Sequence, residues 1–170
     1  LVVSRRVAFP VKTGVLSRWK YAAAKRYIAI SECVRQKLAW PATVVYDGVP
    51  ALDRMPGADA VLVYDKRRGD RLDIEALTRA RVFVYLSEMD GLGSATLLAM
   101  SAGIPVIASR VGGLAEVVVH GETGLLVDNS EASIQDAIRR LSTDREYAAQ
   151  LGRNGRLRYE QLFTLDRMVE

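Results

Sequence analysis

VFVYLSEMDGLGSATLLAMSAGIPVIASRVGG, Val82 to Gly113, is the stretch on which the fold turns. VFVYL (Val82 to Leu86) is a short apolar run suited to a buried strand. It meets a Gly-x-Gly turn, and the run after that turn favours helix to about Ala102, with Gly103 positioned to end it. Pro105 opens a second strand, PVIAS, which runs to Ser109 and meets a second glycine turn, RVGG (Arg110 to Gly113). Strand, helix, strand at this spacing requires parallel strands joined by crossover helices, that is, an open α/β sheet. Ligands of such sheets sit at the carboxyl ends of the strands.

Working outward, the same alternation continues on both sides. LAEVVV after Gly113 reads as a helix and GLLV (Gly124 to Val127) as another strand. Ile134, Ala137, Ile138 and Leu141 then follow a helical period, with Asn129 or Ser130 as cap; Thr143 with Glu146 fits a capping box for a last helix. Upstream, WKYAAAKR reads as helix, YIAI (Tyr27 to Ile30) as strand, and Ser31 as the cap of a helix that Pro41 ends. TVVY (Thr43 to Tyr46) is a further strand. The segment from Pro50 to Asp73, with Pro56, Gly57, Gly69, the strand AVLVY (Ala60 to Tyr64) and the charge cluster DKRRGDR, reads as a joint ahead of a short helix from Ile74 to Ala80.

The glycine turns carry the chemistry. A turn that leaves a buried strand and opens a helix aims several unpaired backbone N–H groups at one place, and the helix dipole adds positive charge there. A diphosphate fits the amides of Gly91, Leu92, Gly93 and Ser94, with help from the Ser94 hydroxyl. Gly112 and Gly113 on the adjacent strand end make a shared crevice. Glu116, one turn into the next helix, either reaches that crevice or serves a helix N-terminus.

Composition narrows the partners. The net charge of +4 conceals a segment, residues 1–40, with nine Lys or Arg against the single acid Glu32. Such a segment suits anionic lipid head groups or an anionic substrate; with no nucleic-acid-binding motif beside it, nucleic acid is not expected. Cys33 is the only cysteine, which rules out an internal disulfide and a cysteine metal site. No uncharged run approaches the length of a membrane span, so the expectation is a cytoplasmic protein with peripheral contact at the inner face of the membrane through residues 1–40.

The run from Ala80 to Val127, together with RYIAISECVRQKL and TVVYDGVP, closely resembles the retaining glycosyltransferases of family 4, which have the two-domain GT-B fold. The likeness covers about half of the chain. It implies residues 1–47 as a remnant of the N-terminal acceptor domain with the linker, and 48–170 as the C-terminal, Rossmann-like donor-binding domain with its terminal helices. It further implies transfer of a sugar, with retention, from a nucleotide-diphosphate donor, most commonly a UDP-sugar, to a sugar or lipid-linked acceptor. No metal and no other cofactor is expected.

The family has two glutamates separated by seven residues. By position they fall on Asp90, which faces the donor sugar, and on Leu98, which has no carboxylate. Glu88 is the nearest substitute. The family's cations for the donor phosphates have Lys66 and Arg67 (with Arg68) in YDKRRGD as their candidates. The one histidine, His120, lies in a turn, and no general base can be named. The alternative from another class is a catalytically inactive nucleotide-binding or interaction module derived from such an enzyme; a third, a flavodoxin-like domain, predicts a bound flavin.

Overall fold

Successive strand residues point to opposite faces of a sheet, and this determines how the chain layers. The computed structural model describes residues 2–6, 14–56 and 59–169; Gly57, named above, lies outside them, as does part of the basic segment 1–40. Strands β1 (Val2–Arg5), β2 (Arg26–Ala29) and β3 (Thr43–Val44) form one parallel sheet in that order, with α1 (Val15–Ala22) and α2 (Glu32–Arg35) between them. Ser31 caps α2 by accepting the Val34 amide at 3.1 Å.

Strands β4 (Ala60–Asp65), β5 (Ala80–Leu86), β6 (Val106–Ser109) and β7 (Leu125–Val127) form a second parallel sheet, also in sequence order. Between them lie a 3-10 turn at Lys66–Arg68 and the helices α3 (Ile74–Thr78), α4 (Ser94–Ser101) and α5 (Leu114–Val117). The chain ends in α6 (Glu131–Thr143), α7 (Arg145–Leu162) and α8 (Leu165–Val169). This is the open parallel α/β architecture expected, with helices flanking both sheets.

The second sheet is buried on both faces, so its strands read as apolar runs. Phe83, Tyr85, Val106, Ala108 and Leu126 point to the face covered by Leu77, Leu97, Met100 and Leu114. Val82, Val84, Leu86, Ile107, Leu125 and Val127 point to the other, against Ala137, Leu141, Ala148 and Leu151 of α6 and α7. The first of these clusters also takes in Ala29, Ile30, Val34 and Val49, so a continuous core joins the two sheets.

Several boundaries differ from the sequence reading. The helix after Ser31 stops at Arg35, before Pro41 is reached, and Ala80 opens β5 instead of closing α3. The proposed capping box fails: Asp144 caps α7 by accepting the Tyr147 amide at 2.9 Å, while the Thr143 hydroxyl donates back to the Arg139 carbonyl at 2.9 Å. A carboxylate at the junction of two helices is the stronger acceptor, and it leaves Thr143 inside α6. The strand expected inside the Pro50–Asp73 joint is β4, one residue longer than read, and it pairs with β5 along its whole length.

Candidate functional site

The carboxyl end of β5 is tied to its neighbours by two side chains, those of Ser109 and Asn129. The Ser87 amide donates to Ser109 Oγ at 2.9 Å, Ser109 Oγ donates to Asn129 Oδ1 at 2.6 Å, and Asn129 Nδ2 donates to the Ser87 carbonyl at 2.9 Å. The ends of β5, β6 and β7 are thereby held in one cluster. Asn129 was a candidate cap by sequence; Ser130 is the cap, accepting the Ser133 amide at 3.3 Å, and Asn129 is a clasp. Serines at strand ends were the available signal for this, although only the fold shows that they meet.

Asp90 follows two residues beyond Glu88, and its carboxylate is nearly buried. Oδ2 accepts from Lys66 Nζ at 2.9 Å and from the Tyr85 hydroxyl; Oδ1 accepts the Leu92 amide at 3.3 Å. Burial first, and the Asp90 hydrogen bond second, push the Tyr85 phenol far above its ordinary value, so it remains a donor to Asp90. Tyr85 was missed by sequence because an aromatic residue on a buried strand reads as core.

Lys66 stands where β4 ends, on the 3-10 turn, and its side chain is 50% exposed against 9% for Asp90. That turn is capped by Asp65, which accepts the Arg67 amide at 3.1 Å and the Arg67 guanidinium at 2.8 and 2.7 Å. The Arg67 hydrogen bonds hold the Asp65 carboxyl below its usual range, against the opposing effect of burial. Lys66, Arg67, Ser87, Glu88 and Met89 line an open cleft of about 410 Å³ at the strand ends. Glu88 is exposed; the Asp65 hydrogen bonds first, and the charge of Glu88 last, favour the protonated Arg67 guanidinium against the opposing effect of burial. Fold geometry thus gathers Asp90, Lys66, Arg67 and Glu88.

The glycine turns interlock. The Gly113 amide donates to the Asp90 carbonyl at 3.0 Å, and a Cβ at Gly113 would lie 2.1 Å from the Gly91 carbonyl oxygen. Gly112 meets the Asp90 carbonyl equally closely, and Gly91 faces the Arg6 carbonyl. Close backbone contact, not space for a ligand, accounts for glycine at 91, 112 and 113. Gly93 has φ +87 and is the N-cap of α4, with no side chain to bond the first-turn amides. Ser94, next in line, is exposed, so this helix start is open to an anion. Leu92 contributes its amide to Asp90 and its side chain to the core.

Glu116 is drawn away from this place. Its two carboxylate oxygens accept the Glu32 amide at 2.7 Å and the Cys33 amide at 2.6 Å, and the Tyr46 hydroxyl lies at 3.4 Å. It caps α2 of the first sheet, so the expectation that it serves the crevice gives way to the other one, a helix N-terminus, though not that of its own helix. Leu98 packs half-buried on the core. His120 Nδ1 accepts the Leu126 amide at 2.9 Å. Among the described residues there is no group of three or more His, Cys, Asp or Glu able to hold a metal, and no helix long and apolar enough to cross a membrane.

Two parallel sheets with an open helix start and paired charges at the strand ends place the chain among α/β proteins whose ligands bind at the carboxyl edge. Residues 59–158 match the family described as glycosyl transferases group 1, more than half of the chain, and the chain belongs to that family. It is 35% identical over 118 residues to the GDP-mannose-dependent alpha-(1-6)-phosphatidylinositol monomannoside mannosyltransferase of Mycobacterium tuberculosis, a match covering 66% of this chain and 27% of that protein. It is 38% identical over 103 residues to alpha-maltose-1-phosphate synthase of Mycolicibacterium smegmatis, covering 56% of this chain and 27% of that one. The chain therefore spans about a quarter of the length of these relatives.

Among solved structures it resembles Anabaena HepE in complex with UDP, with a TM-score of 0.76 at 17% identity over 98% of this chain and 69% of that one. It also resembles sucrose-phosphate synthase of Thermosynechococcus elongatus, with a TM-score of 0.68 at 23% identity over 85% of this chain and 56% of that one. These likenesses are of fold, and the fold is of the GT-B glycosyltransferase type.

Proposed function

We propose that this chain carries the donor-binding half of a glycosyltransferase that moves a sugar from a nucleotide-diphosphate donor to an acceptor with retention at the anomeric carbon. The observation that carries the reading is the Lys66–Asp90 pair beside the open start of α4. In this reading the donor diphosphate lies on the amides of Gly93 and Ser94, with Lys66 and Arg67 as its cations. Fixed donors at the leaving diphosphate stabilise the charge that develops as the glycosidic bond breaks. Asp90, held by Tyr85 and the Leu92 amide, accepts a hydroxyl of the donor sugar, and Glu88 lines the same cleft. Metal and further cofactors have no place in it.

The nucleotide is proposed to be uridine diphosphate, with guanosine diphosphate as the competitor, since the mannosyltransferase relative is named for GDP-mannose. The same relative is named for phosphatidylinositol monomannoside, which together with the basic charge of residues 1–40 supports a lipid-linked acceptor at a membrane surface. Cosedimentation with vesicles that showed no preference for anionic lipid would remove the membrane part alone.

Calorimetric titration with UDP and GDP tests the site. Lys66→Ala is expected to weaken the preferred nucleotide at least tenfold, about 1.4 kcal/mol, and Gly93→Val to abolish binding. Equal binding by both variants overturns the assignment. A second reading, an inactive module, is favoured by Leu98, which offers no carboxylate where the family's second glutamate falls. Nucleotide binding without turnover of UDP-glucose or GDP-mannose in any acceptor mixture selects that reading, and NMR of the product anomer decides retention.

A further inference from the structure

At the end of the second sheet away from the glycine turns, where β4 and β5 begin, three guanidinium groups converge on a small cleft of about 190 Å³. Arg54 comes from the loop before β4, Arg81 from the second residue of β5 and Arg145 from the first residue of α7. Pro105 and Leu141 provide apolar wall, and Asp59 is the one carboxylate among the described lining residues.

This charge is poorly balanced. Arg81 Nη1 and Arg145 Nη2 share a single oxygen, Asp59 Oδ1, at 3.2 and 3.9 Å, and the Asp59 side chain is 76% exposed, so water screens the attraction. Among the described residues, Arg54 reaches only the Ala80 carbonyl, at 3.4 Å. Arg81 is the least exposed of the ion-paired two, at 22%, and its Nε is buried with no acceptor among the described residues. A buried N–H in that state is unfavourable, and so is a cation such as Arg145 in the first turn of a helix. One tetrahedral oxyanion in the cleft relieves both, because guanidinium forks match its oxygens in pairs.

We propose that this cleft binds a phosphate dianion, free or as the monoester of a small molecule, at a site separate from the one that holds the donor. Its volume admits a phosphate group with a small substituent and is below that of pockets for nucleotide-sized ligands. The inference stands independently of the proposed transferase function, because it uses none of the residues at the strand ends.

The test is ³¹P NMR titration of the whole chain with inorganic phosphate and with methyl phosphate at constant ionic strength. Saturable binding is expected, weakened at least tenfold by Arg145→Ala and unchanged by Arg139→Ala on the exposed face of α6. Arg145 is 76% exposed, so its replacement leaves folding intact even where Arg81→Ala does not. Methyl phosphate binding as well as inorganic phosphate assigns the site to monoesters; binding of inorganic phosphate alone assigns it to the free ion. Absence of saturable binding, binding undiminished in Arg145→Ala, or displacement of phosphate by UDP overturns the proposal.

Discussion

Asp65 and Asp90 end neighbouring segments of the sheet, and each buried carboxylate is matched to a cation that projects from the same 3-10 turn. Asp90 and Lys66 were both legible from the sequence as candidates, because the ordered family pattern places the first on the glycine turn and leaves the second among few basic choices. That they touch was not legible, since 24 residues separate them and only the pairing of β4 with β5 aligns their ends. Asp65 allows a test by pH. Its carboxyl is held below the ordinary value, so it binds a proton less readily folded than unfolded. The stability it provides is complete above about pH 4 and is lost as the pH falls through its lowered value. Asp65→Asn is therefore expected to lower the melting temperature at neutral pH and to flatten its decline on acidification. Parallel acid limbs for the two proteins, measured by calorimetry from pH 7 to pH 3, would refute that role.

Among the elements, α7 shows how a helix read from the sequence only by its start supports the site. Arg156 donates to the Ser101 carbonyl at the end of α4, and Arg158 donates to the Glu116 and Val117 carbonyls of α5 at 2.8 and 2.9 Å. The C-terminal carbonyls of both helices that follow the glycine turns thus receive cations. The start of α7 separates two capping models. Asp144→Ala is expected to cost about 1 kcal/mol in urea denaturation, and Thr143→Ala less than half of that. The reverse order would restore the capping box read from sequence. That box was plausible because Thr-x-x-Glu is a real signature; Asp144, one residue later, is a better acceptor and wins. β1 carried no such signal: four residues of mixed exposure have no period long enough to read.

At the scale of the molecule, the two sheets are joined by contacts that cross the chain. Val49 donates its amide to the Phe163 carbonyl at 3.1 Å and accepts the Tyr159 hydroxyl at 2.7 Å, so the end of α7 returns to the segment that follows β3. Glu116 adds the second tie, onto the start of α2. Burial first, and the Glu116 carboxylate second, also push the Cys33 thiol up. Glu116→Ala is expected to speed amide exchange over residues 31–36 by at least tenfold and to raise the rate of Cys33 alkylation, while exchange in β5 and β6 stays as it was. Unchanged exchange at Glu32 and Cys33 would show that this carboxylate is not the tether.

By itself, the sequence of this chain determined the strand and helix rhythm from Val82 to Val127, the parallel α/β class and the family, because those rest on local periodicity, glycine turns and an ordered run of residue types. The tertiary structure alone decided which charges meet. Glu116 reads as a crevice residue or a helix N-terminus partner, and it caps a helix 84 residues earlier; Gly112 and Gly113 read as part of a shared crevice, and they let two backbones touch. Contacts of that kind depend on strand order and on the angle at which one turn packs over another, and these are set by burial of the whole core rather than by any short stretch of chain.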